Sequence, residues 1–139
     1  MNIVHVEDEK PLKDILRTTL AAFGPQIKIT QFTTGDDALD YIQKNIAGID
    51  LFILDIRLPG KLNGIQLAEK IREMDCAGSI VITSAFSRPT QQVLSELHCE
   101  YYRKPWHLSE LMQKLLRFEA LKNKASANIV TISDHTPKD

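Results

Sequence analysis

The chain of 139 residues has the length of one domain. Hydrophobic residues make up 43% and charged residues 25%, as in ordinary globular proteins, and the net charge of -1 argues against a strongly basic nucleic-acid-binding surface. No apolar run approaches the roughly 18 residues that span a bilayer. Cys76 and Cys99 lack metal-ligand spacing. We therefore expect reduced thiols in a cytoplasmic protein that neither enters a membrane nor binds nucleic acid directly.

Short apolar runs alternate along the chain with segments of helical spacing. The runs are residues 3–6, 27–32, 51–54, 79–83 and 100–103. The helical segments place apolar side chains at Leu12, Ile15, Leu16, Leu20 and Phe23; at Leu39, Ile42 and Ile46; at Leu67, Ala68 and Ile71; at Val93, Leu94 and Leu97; and at Leu108, Leu111, Met112 and Leu115. Thr34 and Asp36 are capping candidates for the second helix. This alternation predicts a parallel sheet with helices on both faces.

The composition of the runs predicts the order of the strands. "LFIL" at 51–54 and "IVIT" at 80–83 are apolar on both faces, as central parallel strands are. "IKITQF" alternates apolar and polar residues, and "EYYRK" is short and polar, so both suit the edges of a sheet. We predict an α/β fold: a doubly wound, flavodoxin-like sheet of five parallel strands in the order 2-1-3-4-5.

Charged and hydroxyl side chains follow these strands at the edge where ligands bind in such sheets, beyond the carboxyl ends. The first run is followed by Glu7 and Asp8, the third by Asp55 and the fifth by Lys104, and the fourth ends in Thr83. Because parallel strands end on the same side, we expect the carboxylates, the hydroxyl and the ammonium to meet at one rim.

Clustered carboxylates repel one another and raise one another's pKa values unless a cation lies among them. Oxygen ligands of this kind suit Mg²⁺, with Mn²⁺ as a second possibility. A metal site with open positions, beside Lys104 and the Thr83 hydroxyl, is what a phosphoryl group requires. Asp55 is the best candidate for a nucleophile that forms an aspartyl phosphate, because it stands alone at the end of a central strand.

Four motifs in this order resemble the receiver domain of two-component response regulators, the CheY-like superfamily. They are "VEDE" at 6–9, "DIRLPG" at 55–60, "VITSA" at 81–85 and "YYRKP" at 101–105. Each motif is weak alone, but all four occur in the family's order at the ends of predicted strands. The resemblance covers residues 1–124, and we expect residues 125–139 to form a flexible tail.

The resemblance implies a role for each residue at the rim. Asp55 would accept a phosphoryl group from a sensor histidine kinase or a phosphotransfer protein. The implied metal ligands are Glu7, Asp8, Asp55 and the backbone carbonyl of Arg57. Thr83 and Lys104 would contact the phosphoryl group. Thr83 and Tyr101 would form the switch that alters the surface of helix 4, strand 5 and helix 5, where a downstream protein or a second copy of the chain would bind.

The sequence departs from the commonest family pattern at a few positions. Glu7 replaces the commoner Asp, and Trp106 follows the Lys104–Pro105 bond, which we expect to be cis, where Phe is common. In "PGKLNG", Gly64 comes one residue later than usual. We therefore expect a bulged loop and an intact site, since none of these changes removes a chemical group that phosphoryl transfer needs.

Simpler roles for single residues compete with these assignments. Asp55 or Asp8 can cap the helix that follows it, but the agreement among the strand ends favours a role in the site. His5 lies inside the first strand, and we interpret it as a core residue and not as a ligand. We interpret Gly64 as providing turn geometry at the start of the third helix.

Two other classes of protein share parts of this pattern. A phosphatase of the aspartyl-phosphate type typically has a second acid two residues after the nucleophile, where this chain has Arg57. A pseudo-receiver would keep the fold as a binding module without phosphorylation. We expect no enzyme beyond self-phosphorylation and self-dephosphorylation. The tail lacks the start of another domain, which favours a stand-alone receiver over a fragment of a longer regulator.

Overall fold

In a computed structural model of the protein, the described residues are 1–104, 110, 113, 114 and 117. The chain divides into two units, Met1–Pro105 and Trp106–Asp139, and the elements named below belong to the first. The Lys104–Pro105 bond, Trp106, the tail 125–139 and most of the predicted fifth helix lie outside the described residues. No helix in the described part of the chain is long and apolar enough to cross a membrane.

Five parallel strands form one sheet in the order β2-β1-β3-β4-β5, which confirms the predicted order. The strands are β1 Asn2–Val6, β2 Lys28–Phe32, β3 Leu51–Asp55, β4 Ser79–Ser84 and β5 Cys99–Arg103. β3 is buried along its whole length, whereas the edge strands β2 and β5 have no fully buried residue. The apolar content of the runs therefore did predict which strands are central.

Four helices connect the strands in the described part of the chain. They are α1 Lys10–Ala21, α2 Gly35–Asn45, α3 Gly64–Glu73 and α4 Gln91–Leu97, and a short 3₁₀ turn, Ile46–Gly48, follows α2. Thr34 caps α2 by accepting a hydrogen bond from the Asp37 amide at 3.1 Å. Asp36, the other predicted capping candidate, lies inside the first turn of α2 and does not cap it.

The two faces of the sheet bury different helices. One face packs Val4 and Val6 of β1, with their neighbours on β3 and β4, against buried side chains of α2, α3 and α4. His5 points to the other face, where its Nδ1 atom lies 3.0 Å from Gln31 Nε2. The same Gln31 nitrogen donates a hydrogen bond to the Lys13 carbonyl of α1 at 2.8 Å. His5 is 1% exposed, as expected for a core histidine, and burial lowers its pKa to about 3.

Arg72, near the end of α3, connects three segments at the amino ends of β4 and β5. Its guanidinium donates hydrogen bonds to the carbonyls of Leu97 at 2.7 Å and His98 at 3.0 Å, where α4 ends. It also donates to the carbonyls of Cys76 and Gly78, both at 2.8 Å, before β4 begins. We call these four contacts the Arg72 clamp. It fixes the carboxyl end of α4 to the end of α3.

Candidate functional site

The carboxyl ends of the strands bring the predicted polar residues to one rim. Glu7 and Asp8 follow β1, Asp55 ends β3, Thr83 lies near the end of β4 and Lys104 follows β5. Backbone hydrogen bonds continue past the strands: the Ile56 amide donates to the Thr83 carbonyl and the Lys104 amide to the Ser84 carbonyl, both at 2.9 Å. The sheet register therefore fixes the backbone positions from which these side chains extend.

Carboxylate oxygens of Glu7, Asp8 and Asp55 lie within 4.8 Å of one another. Glu7 and Asp55 are 0% and 4% exposed, whereas Asp8 is exposed. Lys104 lies between the two buried acids, with its Nζ atom 2.8 Å from Glu7 Oε1 and 2.9 Å from Asp55 Oδ2. The ammonium thus compensates part of the repulsion that the sequence predicted. When both acids are ionised, these two acids and one base leave a net negative charge in the buried part of the site.

Burial and the neighbouring charge change how Glu7 binds its proton. Burial raises the pKa of Glu7, the hydrogen bond from Lys104 lowers it and the Asp55 carboxylate raises it, and the net result is a pKa of about 7. Hydrogen bonds to Glu7 and Asp55 raise the pKa of Lys104 against the opposing effect of burial. A buried acid with a shifted pKa and a specific charged partner is typical of functional sites.

A cavity of about 170 Å³ opens above this cluster. It is lined by Asp8, Glu9, Asp55, Arg57, Ser84, Ala85, Phe86 and Lys104. Thr83 is buried beside it, and its hydroxyl makes a long hydrogen bond of 3.4 Å to the Leu54 carbonyl. Because that bond is weak, the hydroxyl can be redirected at little energetic cost.

Two residues at the mouth of the cavity were not predicted from the sequence. The Ser84 hydroxyl accepts hydrogen bonds from the Phe86 and Ser87 amides, both at 3.2 Å, and so shapes the turn after β4. Phe86 is 78% exposed, and the Arg57 guanidinium lies 4.8 Å from the centre of its ring. Serine after a strand is a recognisable turn signal. No pattern in the sequence indicated the contact between Arg57 and Phe86.

Tyr101 lies on β5 beside the end of β4. Its hydroxyl donates a hydrogen bond to the Ser84 carbonyl at 3.2 Å, and its ring packs against the cluster that contains α4. The Arg88 guanidinium lies 5.7 Å from the centre of the ring. Tyr102 instead bonds the Glu100 carboxylate. Of the two adjacent tyrosines, Tyr101 is therefore the one that contacts the turn after β4.

The interpretation of Gly64 as a turn glycine was wrong. Its φ is not in the left-handed region, which in the described residues is occupied by Gly24, Gly60, Asp75 and His98. A Cβ atom on Gly64 would overlap the Asp55 carbonyl oxygen and lie 2.7 Å from the carbonyl carbon. The residue must be glycine because the start of α3 passes directly over the end of β3.

The shifted pKa of Glu7 predicts how the stability of the metal-free protein depends on pH. Between the ordinary pKa of 4.5 and the folded value of about 7, the folded state binds the Glu7 proton more tightly than the unfolded state does. The contribution of Glu7 to the free energy of unfolding therefore decreases as the pH rises, by at most about 1.4 kcal/mol per pH unit. The contribution of His5 to the free energy of unfolding increases as the pH rises from about 3 to 6.5, because its proton binds more tightly to the unfolded chain.

These opposing contributions overlap between pH 4.5 and 6.5. In urea denaturation with EDTA, Glu7→Gln should therefore gain stability relative to the unsubstituted protein as the pH rises from 4.5 to 7. Glu9→Gln, which removes an exposed acid two residues away, is the control and should follow the unsubstituted profile. Parallel profiles for Glu7→Gln and the unsubstituted protein would contradict the assigned shift.

Comparison with known proteins places this site in a family. The chain matches the family described as "Response regulator receiver domain" over residues 3–116. It is 31% identical over 117 residues to the transcriptional regulatory protein DltR of Streptococcus agalactiae, which covers 83% of this chain and 50% of DltR. It is 26% identical over 136 residues to the response regulator RppA of Synechocystis, covering 96% of this chain and 57% of RppA. The chain spans about half the length of the curated relatives it matches.

Solved structures share the fold. The N-terminal domain of an uncharacterized protein from Wolinella succinogenes superposes with a TM-score of 0.79 at 24% identity, covering 90% of this chain and 98% of that one. The chemotaxis protein CheY4 of Vibrio cholerae superposes with a TM-score of 0.71 at 21% identity, covering 84% and 97%. Because the family match extends over residues 3–116, the chain belongs to the response regulator receiver domain family of two-component signal transduction.

Proposed function

We propose that this receiver accepts a phosphoryl group on Asp55 from a phosphohistidine of a sensor histidine kinase or phosphotransfer protein. The observation that supports this most strongly is the buried arrangement of Asp55 and Glu7 around the Lys104 ammonium, at distances of 2.9 and 2.8 Å. Exposed Asp8 completes the acidic cluster at the open side. A receiver that had become a pure binding module would not need to keep this costly set of buried charges.

The donor set fits a hard divalent cation. The oxygens of Glu7, Asp8 and Asp55 are close enough to share one ion, and only oxygen ligands are present among them. In the proposed site these three residues and the Arg57 carbonyl would hold Mg²⁺, with Mn²⁺ as the alternative. When bound, the ion supplies positive charge that stabilises the phosphoryl oxygens during transfer.

The residues of the chain then have distinct tasks in the transfer. An oxygen of the Asp55 carboxylate attacks phosphorus, the phosphorus–nitrogen bond of the donor breaks, and its electron pair stays on the imidazole nitrogen. Lys104 is already 2.9 Å from Asp55 and exchanges part of that contact for a phosphoryl oxygen. The Thr83 hydroxyl, held only at 3.4 Å, turns to donate to another phosphoryl oxygen.

The output in this proposal is a change of surface and not turnover of an external substrate. Redirection of Thr83 alters the end of β4, where the Ser84 carbonyl accepts the Tyr101 hydroxyl. A local charge change that biases a packing arrangement is a common switch mechanism. The affected face of α4 and β5 would bind a downstream protein or a second copy of the chain. The cysteines Cys76 and Cys99 are both free, which supports a cytoplasmic location.

Acetyl phosphate tests the reaction without the unidentified kinase. The purified chain, incubated with acetyl phosphate and Mg²⁺, should gain one phosphoryl group by intact mass, and excess EDTA should prevent the gain. Asp8→Ala should behave in Mg²⁺ as the unsubstituted protein does in EDTA, because it removes one of the three carboxylates. An adduct that forms equally well in EDTA would contradict the metal site. The absence of any adduct would favour the pseudo-receiver alternative.

A further inference from the structure

The loop that joins β3 to α3 lies directly on the first turn of α2. Gly60 has a φ of 92°, and a Cβ atom there would come within 2.5 Å of Asp36 Oδ2. A Cβ atom on Gly35 would likewise come within 2.8 Å of the Leu62 carbonyl oxygen. Glycine on each side thus permits close packing of the loop against the helix.

One hydrogen bond fastens this contact. Asp36 Oδ2 accepts the backbone amide of Lys61 at 3.0 Å. Within the described part of the chain, no other hydrogen bond holds the backbone of residues 58–62. The loop is closed at its base, where the Gly64 amide donates to the Ile56 carbonyl at 3.0 Å. On either side of residues 58–62, the Arg57 amide donates to Asp55 Oδ1 at 3.4 Å and the Asn63 amide donates to Gln66 Oε1 at 2.9 Å. Residues 58–62 themselves depend on Asp36 for their polar anchor.

We infer that Asp36 is a positioning residue for the metal site. This inference rests on the proposed function, in which the Arg57 carbonyl is a ligand. Arg57 is the first residue after the base of the loop, so movement of residues 58–62 moves its carbonyl. The extra residue in "PGKLNG" lengthens the span that must be held. Groups behind the direct ligands commonly change metal affinity by roughly 10–100-fold when removed.

Asp37 provides a matched control. Both acids are exposed and lie in the first turn of α2, so either substitution by Ala removes the same charge near the same helix end. The side chain of Asp36 accepts from Lys61, whereas the position of Asp37 in α2 depends on its own backbone amide bonding Thr34. Asp36→Asn removes the charge but keeps an oxygen that can accept the Lys61 amide.

The test is Mg²⁺ affinity, measured by titration calorimetry on the full chain. Asp36→Ala should weaken Mg²⁺ binding about tenfold relative to Asp37→Ala, and Asp36→Asn should match Asp37→Ala. In EDTA, amide exchange at Lys61 should be faster in Asp36→Ala than in Asp37→Ala, which shows the loss of the anchor without any metal. Equal Mg²⁺ affinities for Asp36→Ala and Asp37→Ala would overturn the inference. Absence of Mg²⁺ binding by the unsubstituted chain would instead overturn the metal site of the proposed function.

Discussion

Asp55→Asn is expected to gain no phosphoryl group from acetyl phosphate in Mg²⁺, while the unsubstituted protein is modified. The amide that replaces the carboxylate is neutral and is a far weaker nucleophile, and it occupies nearly the same volume at the end of β3. The fold should therefore survive the change. Asp14→Asn, which alters an exposed carboxylate paired with Lys10 on α1, should be modified normally.

The same substitution should stabilise the protein in EDTA. Asp55 and Glu7 share the Lys104 ammonium, so above the Glu7 pKa of about 7 the buried site contains two negative charges and one positive charge. Asp55→Asn leaves one balanced pair, and it removes the carboxylate that raises the pKa of Glu7. The expected gain in the free energy of unfolding is on the order of 1 kcal/mol. A variant that is less stable and still phosphorylated would contradict both assignments.

Amide exchange with beryllofluoride, which mimics a phosphoryl group, extends this comparison to the proposed output surface. In the unsubstituted protein, protection should change at residues 84–97 and 100–104, which include α4 and most of β5. Asp55→Asn should show no change, because it lacks the carboxylate to which we expect beryllofluoride to bind. Changes confined to the loops around Asp8 and Asp55 would mean that the face of α4 and β5 does not report phosphorylation.

Gly64→Ala is expected to destabilise the protein by about 2–4 kcal/mol. Alanine is ordinarily the better helix residue by up to about 1 kcal/mol, so helix propensity alone predicts a gain. The added methyl group, however, would overlap the Asp55 carbonyl oxygen and crowd the Ile56 Cα atom at 3.0 Å. Both neighbours are backbone atoms of β3 and its continuation, so no rotamer change relieves the overlap. Urea denaturation measures the loss.

Gly48→Ala is the matched control for this prediction. Gly48 is exposed at the end of the 3₁₀ turn, and the nearest atom that a Cβ would meet is Asn2 Nδ2 at 4.0 Å. Its free energy of unfolding should change by no more than about 0.5 kcal/mol. Because the displaced atoms of Gly64→Ala belong to Asp55, that variant should also be phosphorylated more slowly. Equal stabilities of the two variants would show that the chain at Gly64 can relax around a methyl group.

The order of the strands could be predicted because burial on both faces leaves a visible mark on composition. β3 and β4 have continuous apolar runs, at 51–54 and 80–82, whereas the partly exposed β2 and β5 do not. Strand direction then followed from the intervening helices, since parallel strands need such connections. With the order known, the rim that receives Glu7, Asp55 and Lys104 follows from the fold alone.

The contacts within the rim could not be predicted in the same way. Lys104 and Glu7 are 97 positions apart, and nothing local indicates which carboxylates share the ammonium. Sequence patterns assigned Asp36 and Gly64 to a helix cap and a turn, because those roles depend on neighbours a few residues away. Their actual partners are the Lys61 amide and the Asp55 backbone, which only the folded chain brings near.

The Arg72 clamp turns α4 into a lever with one fixed end. The helix has seven residues and is therefore about 10 Å long. Its carboxyl end is fastened at Leu97 and His98, so the fulcrum lies there. A tilt of about 20° about that point would move the other end, near Thr90, by roughly 3–4 Å, calculated from the rise of 1.5 Å per residue. The amino end of α4, which moves farthest, is also the end connected to the turn at Ser84 beside the cavity. A small displacement of that turn therefore acts on the end of α4 that is free to move.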